Sequence, residues 1–318
     1  MTRRVLVFNG DADGLCAAQQ LRLSGFVPDA IVTGVKRDIG LLARVEPACD
    51  LRVAVADISL DVNRADLLRL LDAGAKVDWY DHHFAGEIPP HAGLTARIET
   101  APDRCSALIV DAALSGRFSS WAVAAAFGDN LGEVAARRGA AAGHDEAALM
   151  VLREFGELLN YNAYGESEED LHHPPAQVFA GFGDCADALA YARDAAIVPQ
   201  LRAGMAEDLA LARAVPSRSI GAGARLLVLP AVAWARRASG VLANELARSR
   251  PGQAHAVLTS APGGYQVSVR APLSRPYGAA ALCRRFATGG GREAAGGINH
   301  LPHADLARFE AALAVAYG

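Results

Sequence analysis

The chain has 318 residues, of which 52% are hydrophobic and 21% are charged, so it is long enough for about two globular domains. Its formal net charge of −4 argues against a long nucleic-acid groove, because such grooves are usually basic, but it allows a small anionic ligand held by a few arginines. The cysteines are scattered without CxxC spacing, and we expect reduced thiols, no signal peptide and no membrane span, hence a cytoplasmic protein.

Short apolar strands alternate with helical stretches in the N-terminal half. The pattern predicts strands at residues 5–8, 30–35, 51–56 and 76–80, and helices at residues 15–23 and 62–73. Such alternation is typical of a parallel sheet with helices on both faces. Ligands of these sheets lie outside the carboxyl ends of the strands.

Acidic residues and histidines follow three of the predicted strands. They are Asp11 and Asp13 after the first strand, Asp57 after the third, and Asp81, His82 and His83 after the fourth. Carboxylates gathered at one edge repel each other unless a cation joins them, and carboxylate with imidazole suits Mn²⁺, Mg²⁺ or Zn²⁺. A single aspartate at a strand end is more often a helix cap or turn former, so the metal interpretation depends on the agreement of three strand ends.

The C-terminal part of the chain changes character after a long helical region. Strands are predicted at residues 225–229, 254–259 and 265–270, with a glycine turn at 263–264, and helices at residues 239–248, 279–286 and 304–316. These elements indicate a smaller α/β lobe. We predict a first domain over residues 1–187, a connecting helix over 188–215 and a second domain over 216–318.

A glycine-rich segment, GGGREAAGG at residues 289–297, is the sharpest feature of the predicted second domain. A glycine run that leads into a helix exposes backbone N–H groups that can hold an anion, and Arg292 within it can grip a phosphate bidentately. The segment lacks the Gly-Lys-[Ser/Thr] of a nucleoside-triphosphate loop. A flexible linker is the alternative interpretation.

The motifs together resemble those of the DHH phosphoesterase superfamily, named for its Asp-His-His motif. DADG at residues 11–14 resembles the first motif, Asp57 in VADIS the second, and DHH at residues 81–83 is the third. Asp129 in WAVAAAFGDN resembles the fourth motif, and LLNYNAYG at residues 158–165 resembles the Asn-rich segment after it. The glycine-rich segment resembles the glycine motif of the DHHA1 domain, the usual partner of DHH domains.

The resemblance assigns roles to the matched residues. The implied metal ligands are Asp11, Asp13, Asp57, His82 and Asp129, with Asp57 as a bridging carboxylate. The implied catalytic residues are Asp57, Asp81, which orients an imidazole, and His83, which contacts the substrate phosphate or protonates the leaving oxygen. The implied substrate-binding residues are Gly289, Gly290, Gly291, Arg292 and Arg270, the last at the end of QVSVR.

The chain departs from the DHH pattern at three positions. Many members carry a histidine where this chain has Val7, RecJ-type members have an acid where it has Asn9, and many relatives have histidine where it has Arg292. The sequence therefore leaves the number of metal ions, one or two, and the metal affinity open.

The implied activity is hydrolysis of phosphodiester or phosphomonoester bonds with Mn²⁺ or Mg²⁺. The leading substrates are short oligonucleotides, linear dinucleotides and bisphosphorylated adenosine, as in the oligoribonuclease branch. A RecJ-like single-strand exonuclease is the alternative, although such enzymes usually carry a further oligonucleotide-binding module. Pyrophosphate hydrolysis is a third option. A non-hydrolytic nucleotide-binding sensor is the alternative from another class, and a homodimer is left open.

Overall fold

The structure is a computed structural model that describes residues 2–318. The chain divides into two compact units, of which the first ends at Arg202 and the second begins at Ala203. The predicted domain bounds at residues 187 and 216 stay a prediction. Among the described residues, no helix is both long and apolar enough to cross a bilayer.

The first unit is built on a five-stranded parallel sheet with the order β2-β1-β3-β4-β5. The strands are β1 (Arg3–Phe8), β2 (Ala30–Val32), β3 (Leu51–Ala56), β4 (Lys76–Asp81) and β5 (Leu94–Ile98). The last four residues of both β1 and β3 are buried, as expected for central parallel strands that are covered on both faces. Because β1, β3 and β4 are neighbours, the three strand ends that carry the acidic residues lie side by side.

Nine helices belong to this part of the chain, the last of which continues into the second unit. They are α1 (Ala12–Leu23), α2 (Arg64–Asp72), α3 (Ser106–Ala113), α4 (Ser119–Gly128), α5 (Gly132–Ala141), α6 (Glu146–Asn162), α7 (Pro175–Gly181), α8 (Ala188–Asp194) and α9 (Ile197–Arg213). Helix α4 is buried almost throughout and packs closely on α6. At this contact a Cβ on Gly156 would lie 1.9 Å from the carbonyl oxygen of Ala124, so only glycine allows the two backbones to approach.

The second unit contains a six-stranded sheet with the order β10-β11-β9-β8-β7-β6, in which only the β7–β8 pair is parallel. The strands are β6 (Arg218–Ile220), β7 (Ala224–Leu229), β8 (Ala254–Ala261), β9 (Gly264–Arg270), β10 (Gly289–Arg292) and β11 (Ala295–Pro302), and the helices are α10 (Ala233–Ser249), α11 (Ala279–Cys283) and α12 (Leu306–Tyr317). The predicted α/β fold class is confirmed in both units.

Several predicted elements need correction. The strand predicted over residues 30–35 ends at Val32, and β5 was not predicted because it is a short, half-buried edge strand. The single connecting helix predicted over residues 188–215 is two helices, α8 and α9, with extended backbone at Ala195. Pro199 explains the break, because proline fits the first turn of α9 but would clash with a carbonyl inside one continuous helix.

The glycine-rich segment is a β-hairpin, and the predicted helix start after it is wrong. Strands β10 and β11 pair antiparallel across a two-residue turn at residues 293–294. The glycines permit close packing of this hairpin on α11: a Cβ on Gly289 would lie 1.8 Å from the carbonyl oxygen of Cys283, and one on Gly296 would lie 2.7 Å from its Sγ. The proposed anion cradle at a helix N-terminus is therefore absent from this segment.

Candidate metal centre

Asp11 begins helix α1 at the end of β1. Its Oδ1 accepts hydrogen bonds from the backbone N–H groups of Asp13 and Gly14 at 3.0 and 3.1 Å, which is N-cap geometry. A Cβ on Gly14 would lie 2.1 Å from the carbonyl oxygen of Asn9, so the turn requires glycine here. The first motif is thus a helix cap, and the same turn places two buried carboxylates at the sheet edge.

Asp13 is held by the first turn of α3. Its two carboxylate oxygens accept hydrogen bonds from the backbone N–H groups of Ser106, at 2.7 Å, and Ala107, at 2.8 Å. These N–H groups have no partner within their own helix, and the helix dipole favours a negative charge beside them. These two hydrogen bonds fix the direction of the carboxylate, which is 1% exposed.

Asp57 follows β3 in the left-handed backbone region, with φ 60°. Aspartate tolerates this conformation better than most residues. Its Oδ1 accepts a hydrogen bond from Ser106 Oγ at 3.0 Å. Burial raises the pKa of Asp57 well above its usual value, and the nearby charges of Asp13 and Asp11 raise it further. A divalent cation would offset this burial and repulsion and so stabilise the ionised carboxylate.

The structure fixes the tautomer of His82. Its Nδ1 lies 3.0 Å from the carbonyl oxygen of Arg104, and because a carbonyl only accepts, Nδ1 carries the proton. The lone pair is then on Nε2, which lies 3.4 Å from Asp57 Oδ1 and 3.8 Å from Asp13 Oδ2. An imidazole oriented in this way by a backbone carbonyl is a common metal ligand.

His83 is paired with Asp81 and reaches towards solvent. Its Nδ1 lies 2.8 Å from Oδ1 of Asp81, and its side chain is 45% exposed, whereas Asp81 is fully buried. Burial lowers the pKa of His83, but the hydrogen bond and charge of Asp81, together with the charge of Asp57, outweigh burial, so the net pKa is raised. This histidine retains its proton at higher pH than an isolated imidazole does.

One group of side chains meets the distance requirement of a metal site. Single donor atoms of Asp57, His82 and His83 all lie within 4.8 Å of one another. The buried carboxylate of Asp57, whose pKa is raised by burial and by Asp13 and Asp11, and the fixed Nε2 lone pair of His82 both fit a divalent ion.

Asp129, the fourth-motif residue, follows α4 and is partly buried. Burial raises the pKa of the Cys105 thiol, and the charges of Asp13 and Asp129 add to that rise. Both carboxylates are therefore near Cys105, which immediately precedes α3. The charge of Asp129 thus acts on the residue that begins the segment holding Asp13.

Sequence reasoning missed Lys36, which lies four residues after β2. Its Nζ forms an ion pair with Asp11 Oδ2 and donates a hydrogen bond to Asn160 Oδ1 at 2.8 Å. Burial acts to raise the pKa of Asp11, but Lys36 and the backbone N–H of Gly14 lower it to about 2. Ser106 was missed as well. The one sequence signal for Lys36 was its hydrogen-bond partner Asn160, which belongs to the Asn-rich segment that resembles the family pattern.

The predicted substrate-binding residues all lie in the second unit. Arg292 pairs with Ala295 across β10 and β11, and Ala295 pairs with Arg270 across β11 and β9, so the two arginines share one row of the sheet and one face. Two strand spacings separate their backbones by about 10 Å. Arg270 Nε donates to Asn244 Oδ1 at 2.6 Å, which fixes its guanidinium, whereas Arg292 is exposed.

Comparison with known proteins gives matches among solved structures. No family model and no curated protein sequence matches the chain. Exonuclease RecJ bound to manganese superposes with a TM-score of 0.60 at 18% identity, covering 99% of this chain and 90% of that one. RecJ from Thermus thermophilus in complex with Mn²⁺ gives 0.57 at 18% identity, covering 99% of this chain and 52% of that one.

A third structure matches over the full length of both proteins. It is the pGpG-specific phosphodiesterase PggH from Vibrio cholerae, with a TM-score of 0.52 at 15% identity, covering 98% of each chain. The chain therefore has the fold shared by these RecJ and phosphodiesterase structures. The resemblance stated from the motifs is thereby confirmed at the level of the fold. Within this fold, the residues of the first three motifs lie together at the carboxyl edge of the parallel sheet.

Proposed function

We propose that the chain is a metal-dependent phosphoesterase that hydrolyses short oligonucleotides or small nucleotides. The observation that carries the proposal is the convergence of Asp57, His82 and His83 at the carboxyl edge of a DHH-type sheet. Two proteins of similar fold are described as an exonuclease and a pGpG-specific phosphodiesterase, which supports a phosphodiester substrate. The cytoplasmic location stays a prediction.

The predicted cofactor, Mn²⁺ or Mg²⁺, is supported by the manganese in both RecJ structures and by the chain's own candidate group. We assign Asp57, His82, Asp13 and Asp129 to hold the ion, whereas the carboxylate of Asp11 is paired with Lys36. A bound divalent ion supplies two effects: it makes water acidic enough to act as a nucleophile at neutral pH, and it offsets charge on the phosphoryl oxygens.

His83 is the proposed general acid. Asp81 raises its pKa and orients its ring through Nδ1, so Nε2 is the atom that presents a proton to the leaving oxygen. Asp81 itself is completely buried and contacts no substrate in this scheme. Its role is to position the imidazole and to stabilise the protonated form.

Arg270 and Arg292 are the proposed phosphate-binding residues. Their shared row on one face of the second sheet suits a ligand with more than one phosphate, because guanidinium groups bind phosphate oxygens through paired N–H donors. Substitution of either by alanine is expected to raise KM for a phosphorylated substrate more than it lowers kcat.

The proposal is tested by chromatographic product analysis. The purified chain is incubated with Mn²⁺ and 5′-phosphorylated oligonucleotides from two to about two dozen nucleotides, together with bisphosphorylated adenosine and pyrophosphate. Preferential loss of the shortest species is expected, and it is abolished in His82→Ala but retained in His91→Ala, an exposed histidine of the same unit. If no product is released with Mn²⁺ or Mg²⁺ and the chain binds a nucleotide tightly, the enzyme proposal is wrong and a nucleotide-binding sensor is the better interpretation.

A RecJ-like single-strand exonuclease is the second candidate, and the superposition with RecJ favours it. Processive shortening of the longest strands would establish this activity. The net charge of −4 favours short substrates, because each extra nucleotide brings another phosphate to a surface without excess positive charge.

A further inference from the structure

Lys36 lies at the Asp11 end of the carboxylate cluster, and its ammonium group is engaged there. Nζ pairs with Asp11 Oδ2, donates to Asn160 Oδ1 at 2.8 Å and lies 5.6 Å from the ring centroid of Tyr164. The side chain is only 24% exposed. A positive charge is therefore held among polar and aromatic groups inside the site, at a position where acidic residues alone would need a cation.

The backbone around Lys36 is fixed on both sides. Its N–H donates to the carbonyl oxygen of Ala163 at 2.9 Å, and its carbonyl accepts from Asn9 Nδ2 at 3.0 Å. Oδ1 of the same Asn9 accepts from the N–H of Asp11 at 3.2 Å. Asn9 thus ties the lysine to the aspartate that it pairs with, so this ion pair is a built feature of the turn.

The two ends of the cluster offer different chemistry to a cation. At one end, Oδ1 of Asp11 caps α1 and Oδ2 is paired with Lys36, while Val7 of β1 is fully buried and provides no donor atom. At the other end, Asp57 and His82 direct donor atoms towards each other at 3.4 Å. The ligands of a divalent ion are concentrated at the second end.

We propose that the ammonium group of Lys36 takes the place of a second metal ion, so that the site holds one divalent ion on the side of Asp57 and His82. The inference rests on the proposed metal-dependent function and adds the number of ions. Lysine suits this role because its ammonium is a compact point charge on a long stem. The fixed lysine supplies positive charge beside Asp11 at every metal concentration.

Native mass spectrometry of the full chain during a Mn²⁺ titration tests the stoichiometry. The chain has two lysines, Lys36 and Lys76, and the second is exposed at the start of β4, so Lys76→Met is a matched control for Lys36→Met. Methionine keeps the length of the stem and removes the charge. One bound ion is expected for wild type and Lys76→Met, and the number rises to two in Lys36→Met.

The outcomes separate this inference from the proposed function. Two ions on the wild-type chain, or only one on folded Lys36→Met, would overturn the replacement and leave a phosphoesterase intact if product is formed. No ion on the wild-type chain would overturn both. If Lys36→Met fails to fold, Asp11→Asn is the variant to test, because asparagine keeps the helix cap. Unchanged affinity for the single ion supports the inference. Loss of that ion contradicts it.

Discussion

The hydroxyl of Ser106 gives a direct test of the candidate metal centre. Ser106 is fully buried, and its Oγ donates to Asp57 Oδ1 at 3.0 Å. A hydrogen bond to a charged group contributes about 1.5–3 kcal/mol, and each 1.4 kcal/mol corresponds to about tenfold in affinity, so Ser106→Ala should weaken Mn²⁺ binding by roughly 10- to 100-fold. The same range is typical when a group that orients a metal ligand is removed.

Isothermal titration calorimetry with Mn²⁺ measures this effect without an assay of activity. Ser120→Ala is the matched control, because Ser120 is also a buried serine at the start of a helix, with its Oγ accepting from the Ala188 N–H at 2.9 Å. It should lower the free energy of unfolding and leave the Mn²⁺ affinity unchanged. A folded Ser106→Ala variant with wild-type Mn²⁺ affinity would refute the reasoning that Asp57, oriented by Ser106, holds the ion.

Three further predictions concern a pH profile, a largely buried ion pair and a helix–helix contact. Asp81→Asn weakens the hydrogen bond and removes the charge that raise the pKa of His83, so loss of activity on the alkaline side should move to lower pH. Asp208→Ala removes the carboxylate that pairs with the largely buried Arg237 at 2.8 Å. It should lower the free energy of unfolding, measured with urea, by about 3–5 kcal/mol. Gly156→Ala should cost at least about 1–3 kcal/mol, whereas Gly252→Ala, with open space around it, should be nearly neutral.

Each of these predictions has an outcome that contradicts it. An alkaline limb of Asp81→Asn at the wild-type pH would mean that His83 is not the acid that this limb reports. Unfolding of Asp208→Ala at the wild-type urea concentration would show that the ion pair contributes no more than an exposed one, about 0–1 kcal/mol. Equal stability of Gly156→Ala and Gly252→Ala would show that α4 and α6 separate without cost.

The strand-end residues could be predicted because the information is local. Asp11, Asp57 and His82 each follow an apolar strand, and parallel strands bring their carboxyl ends to one edge whatever the detailed packing. Lys36 could not be found in this way. Its position depends on the path of the chain after β2 and on contacts with Asn160 and the backbone of Ala163, residues more than a hundred positions away.

The glycine-rich segment shows the opposite difficulty. Glycine adopts both the loop and the strand conformations, so a run such as residues 289–291 does not discriminate a phosphate loop from an edge strand. The close approach of Gly289 and Gly296 to Cys283 favours the hairpin. That contact forms only when the second unit is folded, so the local sequence does not reveal it. Pro199, in contrast, was a local signal for a helix start that the pattern of alanines and leucines concealed.

The backbone of Asp57 has an evolutionary consequence. Its φ of 60° is a conformation that asparagine adopts as readily as aspartate, and an amide oxygen at this position can still accept from Ser106. The codons of the two amino acids differ by one base. A single mutation can therefore remove the charge of a proposed metal ligand from the candidate site while leaving the turn in place. Under the proposed function, a gene duplicate of this chain would be one step away from a protein that binds a nucleotide without hydrolysing it.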